Sequence, residues 1–133
     1  MTAIDRGQYW ALPLQGETVS RCCVDTGFNL EFGLNKPRFV LRIEGRLSIS
    51  KSSASTDFVV AERESLGPCL ALFGNVVEPC HAAKTGALEI VFNGGLRLNV
   101  EPDVEYEAWE LATSADGLRV VCGPGGKLSI WQP

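Results

Sequence analysis

Hydrophobic and polar residues alternate along most of the chain, and such alternation is typical of β-strands with one buried face. The longest series runs from Arg38 to Ser50, with apolar residues and Gly45 at odd positions and polar residues at the even positions from Arg42 onward. It predicts one long strand that bends or bulges at Gly45. The other alternating runs predict strands at residues 28–34, 88–92, 96–100, 109–113, 118–122 and 127–131.

Turn residues separate several of these strands. The run Asn93–Gly95 is a hairpin signal, because asparagine and glycine accept positive φ values. Asp116 with Gly117 marks a second turn, and Gly123–Gly126 marks a third. Residues 48–57 contain six serine or threonine residues, which predicts an exposed loop. The spacing of the turn signals predicts an all-β, or nearly all-β, domain of about eight to ten strands.

One short helix is predicted at residues 65–73. Ser65 or Gly67 would cap its start, and Pro68 suits its first turn. Gly74 would end it. At α-helical spacing, the residues that share its apolar face are Leu66, Leu70 and Phe73.

The two halves of the chain resemble each other. Three runs recur at offsets of 58, 58 and 57 residues: Val19–Cys22 as Val77–Cys80, Leu30–Phe32 as Leu88–Ile90, and Leu41–Glu44 as Leu98–Glu101. This self-similarity predicts an internal duplication, of about residues 14–46 and 72–103, within one β-rich domain 1–133. Two three-stranded units packed face to face would form a sandwich or a small barrel, with a C-terminal hairpin added. The alternative is that two β-meanders look alike without a common origin.

Length and composition fit a soluble globular domain. The chain has 133 residues, of which 45% are apolar and 21% charged, and its N-terminus lacks the pattern of a secretory signal. No apolar run approaches the ~20 residues that a membrane span needs. The odd number of cysteines and the absence of a CxxC pair favour reduced thiols over disulfides or a metal site. We therefore expect a cytoplasmic protein that binds neither a membrane nor a metal.

The sequence contains no catalytic constellation. His81 is the only histidine, so any Ser-His-Asp or Cys-His scheme would need it, and the adjacent Cys80 would point to the opposite face of a strand. The run Gly125–Ser129 is similar to a phosphate-binding loop. However, Val121 and Leu128 stand where that motif needs glycine and serine or threonine. We expect neither an enzyme nor a bound cofactor.

Negative charge is concentrated in one segment. The net charge is −4, and residues 101–110 carry −5, so the rest of the chain sums to +1. This balance disfavours nucleic acid as a partner. Acidic residues steer a basic protein partner and aromatic residues supply desolvated anchors, so the segment fits a protein-binding surface. The residues expected to bind are Glu105, Tyr106, Glu107, Trp109 and Glu110.

The acidic segment has two interpretations other than a protein-binding surface. It could be a solvated strand edge, whose charges prevent pairing with other sheets. A calcium site at Asp103, Glu105 and Glu107 is not expected. Alternate side chains of an extended strand lie too far apart to converge on one ion without a turn.

Three motifs carry a family resemblance. Tyr106–Glu110 reads YEAWE, Val121–Trp131 reads VCGPGGKLSIW, and Leu12–Val19 reads LPLQGETV. This combination resembles a family of small uncharacterised bacterial proteins, common in actinobacteria and defined as a domain of unknown function. Similar small acidic proteins often accompany secreted toxins as immunity proteins. The resemblance thus implies a partner such as a toxin with a basic surface, and it assigns no catalytic residue.

Three functional hypotheses follow. The first is a non-enzymatic cytoplasmic binding domain of the immunity type, with the acidic and aromatic segment as its surface. The second is a small-molecule-binding sandwich or barrel, with the ligand between the halves. The third is an oligomeric scaffold that pairs through sheet edges.

Overall fold

The computed structural model describes residues 2–35, 38–114 and 117–133. These residues form short β-strands, a 3-10 helix at Arg63–Leu72 and a 3-10 turn at Pro124–Gly126. The strands are β1 Ile4–Asp5, β2 Tyr9–Ala11, β3 Val19–Val24, β4 Phe28–Phe32, β5 Phe39–Ile43, β6 Arg46–Lys51, β7 Ala54–Val59, β8 Val77–Ala83, β9 Leu88–Phe92, β10 Leu96–Val100, β11 Trp109–Thr113, β12 Arg119–Cys122 and β13 Leu128–Trp131.

Two antiparallel sheets pack as a sandwich that does not close into a barrel. The seven-stranded sheet has the order β1-β2-β8-β9-β10-β6-β7, and the six-stranded sheet has the order β13-β12-β11-β5-β4-β3. The predicted all-β class is therefore confirmed, in its sandwich form, but the described residues form thirteen strands where about eight to ten were predicted. Each sheet contains one of the predicted three-stranded units, β3–β5 or β8–β10, and the C-terminal strands extend the six-stranded sheet.

Alternation along the strands explains the core. In an antiparallel sandwich, every second residue of each sheet faces the other sheet. The buried apolar positions of β4 and β9 follow this rule, and together they are Phe28, Leu30, Phe32, Leu88, Ile90 and Phe92. All six belong to one hydrophobic cluster that also includes residues of β5, β10, β11 and β12. The two sheets therefore share a single core.

The alternating series 38–50 forms two strands, where one bent strand was predicted. β5 ends at Ile43 in the six-stranded sheet, and β6 begins at Arg46 in the seven-stranded sheet. Gly45 lies at the corner, where its carbonyl oxygen accepts a hydrogen bond from the Val60 N–H. The apolar residues at the odd positions of both strands face the same core, so the alternation continues although the chain changes sheets.

The predicted loop at residues 48–57 was wrong. This segment belongs to the β6–β7 hairpin, with a register that runs from Arg46 opposite Val59 to Lys51 opposite Ala54. β7 is the edge of the seven-stranded sheet, and its first four residues are exposed. Polar residues are therefore tolerated on both of its faces, which hides the two-residue period on which strand prediction depends.

A helix is confirmed at the predicted place, but it begins earlier than the sequence indicated. It starts at Arg63 with Glu62 at its N-cap. Neither Ser65 nor Gly67 therefore caps it, and Pro68 lies inside it.

The helix also differs from the prediction in type and in its buried face. A 3-10 helix has three residues per turn, so residues three apart share a side. The buried residues of this helix are Leu66, Cys69 and Leu72. In contrast, Leu70 is 52% exposed and Phe73 is 56% exposed, although α-helical spacing would have buried both.

The predicted turns were located correctly where the structure describes them. Asn93–Gly95 joins β9 to β10, with Gly94 and Gly95 at positive φ. Gly123–Gly126 joins β12 to β13. Of the remaining predicted turn, Asp116 lies outside the described residues.

Paired backbone hydrogen bonds relate the two halves of the chain. The Gly16 N–H donates to the Val77 carbonyl, and the equivalent Gly74 N–H donates to the Val19 carbonyl. The Val77 N–H donates to the Glu17 carbonyl, and the equivalent Val19 N–H donates to the Asn75 carbonyl. Thr18 and Val76 form an antiparallel bridge at the centre of this arrangement. A register shift also begins at Val19 in one unit and at Val77 in the other. Two units with a common origin would form equivalent hydrogen bonds of this kind. The internal duplication itself stays a prediction.

Candidate functional site

The acidic segment is mainly a loop between the sheets, although its alternating acids had indicated a strand. Residues 101–108 connect β10 of the seven-stranded sheet to β11 of the six-stranded sheet. A carboxylate oxygen of Asp103 accepts hydrogen bonds from the backbone N–H of Glu105 at 2.8 Å and of Tyr106 at 3.1 Å. This turn, made by an aspartate side chain, replaces the ladder hydrogen bonds that a strand would need.

Three backbone hydrogen bonds hold the loop in place. The Gly125 N–H donates to the Asp103 carbonyl at 2.7 Å, and the Ala108 N–H donates to the Cys122 carbonyl at 3.0 Å. The Glu44 N–H donates to the Ala108 carbonyl at 3.0 Å. Two of the sequence motifs, YEAWE and VCGPGG, are therefore adjacent in space, and the second supports the first.

An open cleft of about 420 Å³ lies beside this loop. It is lined by Glu44, Gly45, Asp103, Tyr106 and Glu107, which place three carboxylates and a phenol ring around it, and none of the described residues that line it is basic. The Tyr106 side chain is 68% exposed, and Glu107 is exposed as well. The lining therefore suits a cationic group that can lie near an aromatic ring.

Three of the five residues predicted to bind are exposed together on the loop, namely Glu105, Tyr106 and Glu107. Trp109 is not with them. It is fully buried in β11, opposite Ile43 and Cys122, and its indole Nε1–H donates to the Gly86 carbonyl at 2.9 Å. Its proposed role as a surface anchor is therefore corrected to that of a core residue.

Glu110 follows Trp109 and points to the outer face of the six-stranded sheet. There its carboxylate accepts a hydrogen bond from the Arg119 guanidinium. The same guanidinium carbon lies 5.3 Å from the centre of the exposed Trp131 ring. Glu110 thus belongs to a separate surface cluster, because successive strand residues point to opposite faces.

Sequence reasoning missed Glu44 as a member of the cleft. Glu44 follows the last residue of β5, and its carboxylate accepts a hydrogen bond from the Arg42 Nε at 2.7 Å. Its end-of-strand position could have suggested a site at a sheet crossover. Its proximity to residues 101–108 depends on the pairing of β5 with β11, which no local pattern encodes.

The glycines of the VCGPGG motif serve close packing. A Cβ atom on Gly126 would lie 2.0 Å from the Thr85 carbonyl oxygen, and one on Gly86 would lie 2.6 Å from the Gly126 Cα. Both glycines have positive φ. The β8–β9 turn and the Pro124–Gly126 turn can therefore touch beneath the loop only because neither has a side chain at this point.

The other reactive groups do not form a recognisable centre. Within the described ranges, no three His, Cys, Asp or Glu side chains are placed to hold a metal ion. The five cysteines are free thiols. Burial, with a smaller contribution from nearby Cys22, raises the pKa of Cys69 to about 11, and burial also raises the pKa of Cys80. Such thiols are protonated at neutral pH and are poor nucleophiles.

The fold and the loop define an antiparallel β-sandwich domain with an acidic, aromatic cleft at a crossover between its sheets. The family model described as a family of unknown function, DUF6188, matches residues 10–132, and the chain belongs to that family. The expected membership of an uncharacterised family is thus confirmed. Neither the curated proteins nor the solved structures include a significant match. Across the described part of the chain, no helix has the length and apolar character to cross a bilayer.

Proposed function

We propose that this protein is a non-enzymatic binding domain that docks the acidic cleft onto a basic segment of a protein partner. The observation that carries the proposal is the cleft lining, where the carboxylates of Glu44, Asp103 and Glu107 surround the exposed Tyr106 ring. A lysine or arginine side chain has the complementary charge and can also stack on the ring.

The backbone of the loop also supports a binding role. Asp103 fixes the turn with its side chain, and its carbonyl oxygen accepts the hydrogen bond from Gly125. A loop that is already ordered loses little conformational entropy when a partner binds, so more of the contact energy contributes to affinity. Exposed aromatic residues such as Tyr106 are also common among the residues that dominate interface energies.

A toxin with a basic surface is the partner class that the family resemblance suggests. On this proposal the protein is a cytoplasmic immunity protein from an actinobacterium. Capture of the partner from the native host, followed by mass spectrometry, is the first step of the test. A toxin gene beside the gene for this chain would support the same assignment.

The decisive measurement is the association rate with the captured partner at low and high ionic strength. The double variant Glu105→Lys with Glu107→Lys should associate about tenfold more slowly at low salt, and the difference should shrink at high salt. The matched control is Glu62→Lys with Glu64→Lys, which makes the same charge change at the exposed start of the 3-10 helix. Equal rates for the loop variant and the control would refute the proposal.

A further inference from the structure

A row of polar side chains crosses the outer face of the seven-stranded sheet. Residues that pair directly in an antiparallel sheet share one face, so the register identifies the members of the row. From β8 to β7 they are His81, Glu89, Asn99, Ser48 and Asp57, and Ala11 of β2 pairs with His81 at the end of the row. Neighbouring strands lie about 4.8 Å apart, so the part from β8 to β7 is about 19 Å long.

Two open clefts lie along this row. One has a volume of about 470 Å³, and its lining includes Tyr9, His81, Glu89 and Asn99. The other has a volume of about 200 Å³, and Asn99 lines it together with residues of β6 and β7. Asn99 lines both clefts, so they adjoin at this residue, and we refer to the two clefts together as the polar groove.

An aromatic pair stands at one end of the row. The ring centres of Tyr9 and His81 are 4.1 Å apart, with 32° between the ring planes, and both residues are half-buried. Ala11 and Ala83 are their cross-strand neighbours, and methyl side chains leave space above the sheet next to the rings. The face of an aromatic ring carries partial negative charge, so it attracts weakly positive C–H groups such as those on one face of a saturated ring.

The middle of the row offers unused hydrogen-bonding groups. The side chains of Asn99, Ser48 and Asp57 form no hydrogen bond or ion pair with any residue that the structure describes. Asn99 and Ser48 are half-buried between their neighbours. An asparagine amide has two donors and an acceptor, a hydroxyl both donates and accepts, and a carboxylate accepts. This mixture matches a ligand that carries many hydroxyl groups.

Charge narrows the ligand class further. The charged residues that line the two clefts are Glu89, Glu101, Asp57 and Arg46, and Arg97 forms an ion pair with Glu89 at 3.5 Å. Acidic and basic groups therefore nearly balance, and neither a polyanion nor a polycation is favoured. The polar row would also leave hydrogen-bonding groups unpaired against an apolar ligand. We propose that the polar groove formed by these two clefts binds a neutral oligosaccharide. A sugar ring stacks on the Tyr9–His81 pair, and the sugar hydroxyl groups form hydrogen bonds with Asn99 and the neighbouring side chains of the row.

Calorimetric titration of the intact chain tests this proposal. The probes are neutral hexasaccharides of glucose, mannose, xylose and N-acetylglucosamine, with a heparin hexasaccharide as the polyanionic comparison. At least one neutral probe should bind, and Tyr9→Ala and Asn99→Ala should each weaken its binding about tenfold. Tyr106→Ala is the matched tyrosine control on the acidic loop and should bind the sugar as the wild type does.

Each remaining outcome overturns the proposal. These outcomes are no binding of any neutral probe at millimolar concentration, binding that neither groove variant weakens, and binding of heparin alone. Both groove side chains point away from the core, so unchanged unfolding midpoints should confirm that the variants fold. The acidic-cleft proposal is tested separately, because Tyr106 and Tyr9 line two clefts that share no lining residue.

Discussion

Gly126 occupies a position with no space for a side chain. A Cβ atom there would approach the Thr85 carbonyl oxygen to 2.0 Å, and φ is +87°. We expect Gly126→Ala to lower the free energy of unfolding by about 3 kcal/mol, through left-handed strain and displacement of the β8–β9 turn. Urea unfolding followed by far-UV circular dichroism gives this value.

Gly125 provides the matched control for that prediction. Its φ is +75°, but a Cβ atom would meet nothing within 4 Å. Gly125→Ala should therefore cost only the left-handed strain, about 1 kcal/mol. Equal losses for the two variants would show that the contact with Thr85 is unimportant.

Residue-level prediction succeeded where it depended on local conformation. The glycines of residues 123–126 indicated a turn, and the structure has one there. Their contact with Gly86 could not be predicted, because it joins segments that are distant in the sequence. Likewise, the sequence placed Trp109 and Glu110 in one site, whereas alternation in β11 sends them to opposite faces.

The 3-10 helix offers a comparison of two leucines within one element. Leu66 is buried in the shared core, whereas Leu70 is 52% exposed. Leu66→Ala should therefore lower the free energy of unfolding by about 2–5 kcal/mol. Leu70→Ala should change it by less than about 0.5 kcal/mol.

Urea midpoints of the two variants test the helix type as well as the burial. An α-helix with the predicted apolar face would give comparable losses at both positions, and that result would contradict the 3-10 geometry. The sequence located this element through Pro68 and Gly74. The helix begins earlier, at Arg63, so Pro68 lies inside it, and Gly74 follows its C-cap residue Phe73. The sequence did not indicate the type, since leucines or phenylalanines stand at both three- and four-residue spacings.

Strand prediction failed for reasons that are specific to a sandwich. The series 38–50 crosses between the sheets at Gly45 without a break in alternation. The edge strand β7 has polar residues on both faces and therefore resembles a loop. Interior strands such as β9 were predicted accurately, because one of their faces contacts the core and the other contacts solvent.

At the scale of the molecule, the two sheets should unfold together because they share one hydrophobic cluster. Leu98 is fully buried in the seven-stranded sheet, and Trp109 is fully buried in the six-stranded sheet. In a background of Trp10→Phe with Trp131→Phe, the remaining Trp109 reports on its own sheet. Leu98→Ala should then lower the urea midpoints of Trp109 fluorescence and of far-UV circular dichroism equally.

A fluorescence midpoint that Leu98→Ala leaves unchanged would show instead that the sheets unfold independently. The sandwich class itself could be predicted, because alternation and the repeated units both indicated two packed layers. The membership of each strand in a sheet could not, and the acidic cleft depends on it. Glu44 and Tyr106 line one cleft because the β5–β6 connection and the β10–β11 connection, which both cross between the sheets, lie next to each other.

The hydrogen bonds arranged about Thr18 and Val76 have the symmetry of a homodimer interface. On the predicted duplication, a half-length ancestor would have made the same bonds with a second copy of itself. Fusion of the copies would replace an association that depends on protein concentration with one whose effective concentration is in the millimolar range. The two halves could then diverge, because neither sequence had to pair with a second copy of itself any longer.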